Sequence, residues 1–232
     1  MTTVREALDR AGLLAKGVIG ARAGEMLLDL HSPAPEPAGD LSPVRAGDDS
    51  PDALAILRHT TAHVMADAVQ RLFPGTKVTI GPSVEDGFYY DFDRPEGPFS
   101  DEDLARIEEQ MRSVVAERSP LAREEVSREE AERLFREMGE TYKLELLAAI
   151  PEGDRITLYR HGKWTDLCRG PHLQNTGTIQ VFKLLKVAGA YWRGDERNAM
   201  LSRIYGTAFF DKKSLAAHLA RIEEAARRDH RK

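Results

Sequence analysis

Apolar positions along the chain recur at helical spacing in five stretches and alternate in shorter stretches between them. This pattern predicts an α+β protein with mostly antiparallel sheet packed against helices. Leu54, Leu57, Val64, Met65, Ala68, Val69 and Leu72 give one broad helical face, opened by Ser50-Pro51 and closed by Pro74-Gly75. Serine is a good N-cap, and proline fits the first helical turn. Leu104, Ile107, Met111, Val114 and Val115 mark a second helix, which Ser100 and Asp103 begin as a capping box. Ala131, Leu134, Phe135 and Met138 mark a third, begun by Ser127 and Glu130 and ended by Gly139. Both have acidic outer faces, which read as solvated surface. A short helix over residues 4–11 and a final helix capped by Asp211 complete the helical set. Strands are predicted at 17–22 and 25–30, at 77–80 and 87–93, at 155–160 and 163–168, and at 178–188 and 201–207.

Three prolines in residues 32–39 make an irregular connection, and residues 45–50 form a second loose stretch. A domain boundary is therefore placed near residue 50. No long internal repeat is present. The length of 232 residues suggests one or two domains, and 41% hydrophobic with 31% charged residues fits a soluble globular chain. No run of about 18 apolar residues offers a membrane span. The first residues lack an apolar signal core. The single cysteine, Cys168, excludes an internal disulfide and points to a reducing cytoplasm.

The net charge of −5 argues against a strongly basic nucleic-acid coat. Residues 183–203 nevertheless hold five basic residues against two acidic ones. Lys183, Lys186, Arg193 and Arg197 are candidate phosphate contacts there, with Tyr191 and Trp192 available to stack on a base. Ordinary solvated surface is the simpler account of such a cluster.

His59 and His63 lie four apart on the predicted central helix, which puts both rings on one face, one turn apart. About a hundred residues later, Asp166-Leu-Cys168-Arg-Gly-Pro-His172 brings a carboxylate, a thiol and another imidazole to a strand end. Three imidazoles and a thiol suit a tetrahedral zinc ion. Each pair alone has a plainer explanation: a chance His-x3-His, or a small core cysteine. Taken together, four of the eight His and Cys residues fall into two pairs of equal spacing. Gly170-Pro171 demands a sharp turn that would aim His172 back toward Cys168.

Several ordered motifs resemble the editing domain of bacterial threonyl-tRNA synthetases. They are His59-Thr-Thr-Ala-His63, Gly81-Pro with Gly87-Phe-Tyr-Tyr-Asp91, Tyr142-Lys143, the 166–172 segment, residues 183–194 and residues 203–207. The related His-x3-His and Cys-x3-His pairs of alanyl-tRNA synthetases resemble a zinc site. The resemblance runs from about residue 50 to residue 232. Residues 1–48 resemble the later part of a small β-grasp domain, residues 51–210 the editing domain, and residues 211–232 the start of a linker helix. The usual first hairpin of the β-grasp domain is missing, as are the synthetic and anticodon-binding domains. The chain therefore resembles an N-terminal part of such an enzyme rather than a freestanding protein.

The resemblance implies proofreading. Threonine exceeds serine by one methyl group, and a missing methyl weakens binding by only about 1–3 kcal/mol. A synthetic pocket built for threonine therefore admits some serine, and a second pocket that excludes threonine by size corrects the error. The implied reaction is hydrolysis of the seryl ester of Ser-tRNA(Thr). His59 and Lys143 are the expected catalytic residues. His59 would position or deprotonate water, and Lys143 would stabilise charge or, where desolvated, act as a base. His63, Tyr90, Asp166, Cys168 and His172 are expected to bind substrate. His59, His63, Cys168 and His172 are the candidate zinc ligands, with no metal held obligatory. Expected partners are tRNA(Thr) carrying serine, the absent domains of the same enzyme and a second copy in a homodimer, with no membrane. Two other functions fit the residues: a non-catalytic tRNA-binding module with a structural zinc, and a generic metal-dependent hydrolase. Structural zinc closes all four positions and its removal unfolds the module. The low carboxylate count near the pairs disfavours a two-metal hydrolase.

Overall fold

The computed structural model describes residues 1–36 and 41–229. Residues 37–39 of the proline-rich connection and the last three residues of the basic C-terminus lie outside the described set. The chain begins with helix α1 (Val4–Arg10), capped reciprocally by Thr3 and Glu6. A three-stranded antiparallel sheet follows, with β1 (Val18–Ala23) between β2 (Met26–Asp29) and β3 (Ser42–Arg45). Val4 and Leu8 of the helix meet Val18, Ala21 and Leu30 in a small core. The third strand falls partly in a stretch read as loose, because a four-residue strand containing proline carries little alternation.

Helix α2 (Pro51–Leu72) starts at the predicted Ser50 cap, whose hydroxyl accepts from the Ala53 amide at 3.2 Å. It is buried on most of its circumference, because three partners meet its apolar positions and a fourth its polar ones. One is the small sheet. The second is α3 (Asp101–Ala116), which follows β4 (Lys77–Val78), β5 (Ser83–Val84) and β6 (Gly87–Asp93). The third is the larger sheet, to which α2 presents its apolar face against β6. Gly81 in the connection before β5 has no room for a side chain, since an added Cβ would stand 2.0 Å from the Tyr90 ring.

The chain continues through β7 (Leu121–Val126), α4 (Arg128–Glu137) and α5 (Thr141–Ala148), then the hairpin β8 (Ile156–His161) and β9 (Trp164–Leu167). Strands β7, β8 and β9 form a second three-stranded antiparallel sheet, and α4 and α5 bury Phe135 and Leu147 against its Ile156 and Leu158. Both capping boxes form as read, and Gly139 ends α4 with a φ of 69°. The predicted strand at 178–188 is instead a 3-10 turn at Thr176–Thr178 followed by β10 (Val181–Tyr191). This strand pairs with β11 (Met200–Phe209), which pairs in turn with β6. Asp211 then accepts from the Lys213 and Ser214 amides at the start of α6 (Lys212–Asp229). No described helix is long and apolar enough to cross a membrane.

One stripe of α2 is polar although buried, and it faces the β8–β9 hairpin residue by residue. Gln70 accepts from the Trp164 indole at 2.8 Å, and Asp67 lies 3.1 Å from His161. His63 approaches Asp166 at 3.4 Å, and His59 approaches Cys168 at 3.3 Å. Positions 59, 63, 67 and 70 share one helical face by spacing. Buried polar groups need partners, and here the hairpin supplies one for each.

Candidate active site

The four His and Cys side chains come together where α2 meets the end of β9. Each offers one ligand atom, and these atoms all lie within 4.8 Å of one another. Cys168 Sγ lies 3.3 Å from His59 Nε2 and 3.2 Å from His172 Nε2. The imidazole centroids of His172 lie 4.1 Å from His59 and 4.2 Å from His63. The expected return of His172 toward Cys168 is thus present, with Gly170 at a φ of 78° inside the turn.

Hydrogen-bond partners assign the protons on these rings. His59 Nδ1 faces the Pro171 carbonyl at 3.2 Å, which can only accept, so Nδ1 carries the hydrogen and Nε2 is bare. The Thr60 hydroxyl donates to the Ile56 carbonyl and accepts from the Leu173 amide, both at 2.9 Å. Only a lone pair is left for His172 Nδ1 at 3.2 Å, so that nitrogen is protonated and its Nε2 is bare. His63 Nε2 faces the Asp166 carboxylate at 3.4 Å, and its buried Nδ1 has no hydrogen-bond partner. Two bare nitrogens therefore face one thiol, with the His63 ring beside them.

Burial sets the charge state of this cluster. It drives the His59 imidazole down to about 4. It holds His63 and His172 well below the usual imidazole value, reinforced by the neighbouring imidazoles. It pushes the Cys168 thiol up to about 12. Desolvation disfavours whichever form is charged, so at neutral pH the cluster is three neutral rings and an S–H.

Beside it lies an ion pair. Lys143 and Asp166, each 2% exposed, meet at 2.5 Å. The ammonium also donates to the Thr79 carbonyl at 2.6 Å and to the Tyr90 hydroxyl at 3.0 Å. Tyr90 in turn donates to the other Asp166 oxygen at 2.7 Å, and burial with that carboxylate holds its phenol well above the usual value. Two hydrogen-bond acceptors and a carboxylate counter-ion thus hold the Lys143 ammonium at one place. Asp166, expected to hold substrate, has its oxygens committed to Lys143, Tyr90 and His63. A carboxylate buried this deeply needs such partners, so its visible task is to seat Lys143.

These groups open onto a cavity of about 750 Å³ bounded by α2, residues 79–83, α5 and residues 166–171. Such a volume is in the range of pockets for small organic ligands. His59, His63, Lys143, Asp166 and Cys168 line it, while His172 lies behind them, fully buried. Tyr90 is also fully buried and reaches the site through its hydroxyl. Exposed Arg155 and Arg169 also line it, and the sequence pattern assigned neither a role in the site. Asp29, whose carboxylate accepts from the His172 amide at 3.0 Å, was also missed.

The basic cluster lies elsewhere, on β10 and the 3-10 turn Trp192–Gly194. Lys183 is bound to Glu108 at 2.8 Å, and Arg197 to Asp195 at 2.6 Å. Lys186 sits 5.1 Å over the Tyr205 ring and Arg193 5.4 Å over Trp192, and neither forms an ion pair among the described residues. Trp192 is buried and donates to Glu145 at 2.9 Å, so it is a core residue and not a stacking platform. Tyr191 remains exposed at the surface.

Comparison with known proteins gives a consistent picture. Residues 156–205, which include Asp166, Cys168 and His172, match the family described as threonyl and alanyl tRNA synthetase second additional domain. The chain is 56% identical over 230 residues to a threonine–tRNA ligase of Oleidesulfovibrio alaskensis, covering 98% of this chain and 35% of that protein. It is 54% identical over 222 residues to one from Nitratidesulfovibrio vulgaris, covering 96% of this chain and 34% of the relative. With one from Phenylobacterium zucineum it shares 53% identity over 220 residues, 94% of this chain and 33% of the relative. The chain thus spans about a third of the length of the curated relatives it matches.

Proposed function

We propose that this chain, which is similar to threonine–tRNA ligases over about a third of their length and matches the synthetase second additional domain over residues 156–205, proofreads in its cavity by hydrolysing the seryl ester of Ser-tRNA(Thr). The observation that carries this is a neutral, half-buried imidazole, His59, and a held ammonium, Lys143, lining one cavity.

The chemistry follows from those two groups. An imidazole whose pKa is about 4 is a weak base, so His59 orients the attacking water by accepting its hydrogen bond. The water oxygen bonds to the seryl carbonyl carbon, and the ester bond to the terminal ribose breaks. One proton of the water passes to the leaving ribose oxygen. The Lys143 ammonium, preorganised by Asp166, stabilises the negative charge that develops on the carbonyl oxygen. Serine and the free tRNA terminus are released.

The donors around Cys168 also fit a tetrahedral ion. His59 Nε2, His172 Nε2, one nitrogen of His63 and Cys168 Sγ would hold it. Held by all four, the ion would have no open position and would act structurally; only with one donor withdrawn would it lower the pKa of a water. The proposed reaction does not require it.

The test compares release of serine and of threonine from charged tRNA(Thr), by the parent chain and by His59→Ala, with and without a chelator. Selective serine release is expected, surviving chelation and falling on the order of 100-fold in the variant. Equal release of both amino acids would refute the assignment. Loss of activity on chelation, restored by zinc, would transfer water activation to the ion. Unfolding on chelation would favour a structural zinc module instead.

Contact with the body of the tRNA falls to Lys186 and Arg193, the two cations of the basic cluster without acidic partners among the described residues. Replacing both by glutamine should weaken tRNA binding and reduce the slope of log K against log salt by roughly one per lost phosphate contact. An unchanged slope would remove this surface from the binding site.

A further inference from the structure

We propose that Asp29, from the N-terminal three-stranded sheet, is a positioning residue that sets the 168–172 segment of the active site. This rests on the hydrolase reading for its consequence, though not for its geometry.

Asp29 ends β2 and is fully buried. No basic side chain forms an ion pair with it among the described residues. Five hydrogen-bond donors meet its carboxylate instead. Oδ1 accepts from the His31 amide at 3.0 Å, the Ser32 amide at 2.9 Å and the Ser32 hydroxyl at 3.0 Å. Oδ2 crosses to the site, where it accepts from the Tyr159 hydroxyl at 2.7 Å and the His172 amide at 3.0 Å. One oxygen thus folds the local turn, and the other holds the backbone that carries His172.

The surroundings tighten this link. The Tyr159 ring lies 4.5 Å from the His172 ring. A Cβ added at Gly170 would stand 2.3 Å from the Tyr159 hydroxyl and 3.0 Å from Asp29 Oδ2, so only glycine fits between them. The Gly170 amide donates to Cys168 Sγ at 3.3 Å. Farther along the same segment, Gln174 donates to the Ile19 carbonyl of β1 at 2.8 Å. Two strands of the small sheet therefore hold one loop of the active site, with Asp29 as its charged contact.

Every partner of Asp29 is a donor, so an amide cannot replace the carboxylate. In Asp29→Asn one oxygen can still serve the turn at Ser32. The amide nitrogen then opposes the His172 N–H, donor against donor. The tyrosine hydroxyl can rotate to accept, but the backbone amide cannot. The 168–172 segment must move away.

Cys168 is the sole cysteine of the chain, so its alkylation by iodoacetamide reports on this segment without reference to activity. The experiment uses the whole chain and compares the parent, Asp29→Asn, Tyr159→Phe and Ser32→Ala, each with circular dichroism as a check on folding. Asp29→Asn should alkylate about tenfold faster, and Tyr159→Phe should shift the same way by less. Ser32→Ala, which touches only Oδ1, should alkylate at the parent rate. In serine release, Asp29→Asn should lower kcat with little change in KM. Parent-rate alkylation in a folded Asp29→Asn overturns the proposal. If that variant does not fold, parent-rate alkylation in Tyr159→Phe overturns it equally. A parent chain that releases no serine would sink the hydrolase reading, while the alkylation series would still decide the role of Asp29.

Discussion

Lys143→Met is expected to slow seryl-ester hydrolysis on the order of 100-fold or more, the scale of removing one preorganised donor to a developing oxyanion. The same change should also destabilise the fold. It removes the only ion-pairing side chain that Asp166 has besides His63 among the described residues, and His63 is neutral. Breaking a buried pair from one side leaves an uncompensated charge, at a cost of about 3–5 kcal/mol. Catalysis and stability can then be separated by a second substitution. Asp166→Asn added to Lys143→Met removes the orphaned charge and should restore most of the melting temperature. It should restore none of the activity, because the cation at the carbonyl is still missing. Recovery of serine release in the double variant would show that Lys143 acts only by neutralising Asp166. Full activity in the single variant would remove Lys143 from the mechanism.

The sequence disclosed what local rules govern. Ser50, Ser100 and Ser127 cap helices because side-chain capping needs only four consecutive residues of context. The His59–His63 spacing guaranteed a shared helical face, and Gly170 guaranteed a turn before His172. That the two pairs meet was inferred from matched spacing and from resemblance, and here they converge around Cys168. Lys143 came from resemblance alone, since α5 has no side-chain cap and its eight residues carry no clear apolar stripe. Strand β7 was hidden for another reason. Its Arg123, Glu124 and Glu125 look like loop, yet Glu124 pairs with Arg160 across the sheet at 2.8 Å. Asp29 was hidden most completely. A carboxylate at a strand end reads as solvent-facing, and its partners Tyr159 and His172 lie 130 and 143 residues away. A buried polar group becomes visible only when its distant donors do.

Stability should fall steeply as the pH drops from 7 toward 5, in a chelator to keep the imidazole cluster free of ions. Unfolded imidazoles titrate near 6.5, whereas burial lowers His59 to about 4 and His63 and His172 well below the usual value. Below pH 6.5 the unfolded chain therefore binds more protons than the folded one. The slope of unfolding free energy against pH is then positive, and acid removes stability. Each group contributes about 1.4 kcal/mol per pH unit inside its window, and the window of His59 closes near 4. Three such groups withdraw several kcal/mol by pH 5, a large share of the roughly 5–15 kcal/mol a domain has. His218, lowered less deeply by partial burial, adds in the same direction. The carboxylates held low by partners, such as Asp103 and Glu117, act only nearer pH 4. In the interval from 6.5 to 5 the imidazoles therefore dominate, opposed in part by Glu140, whose carboxyl burial raises. Thermal melting across that interval should show a falling midpoint in the parent and a shallower fall in His172→Met, which has one such imidazole fewer. A flat midpoint in the parent would mean that the three rings are not held neutral, and His59 could then not be the acceptor that the proposed hydrolysis needs.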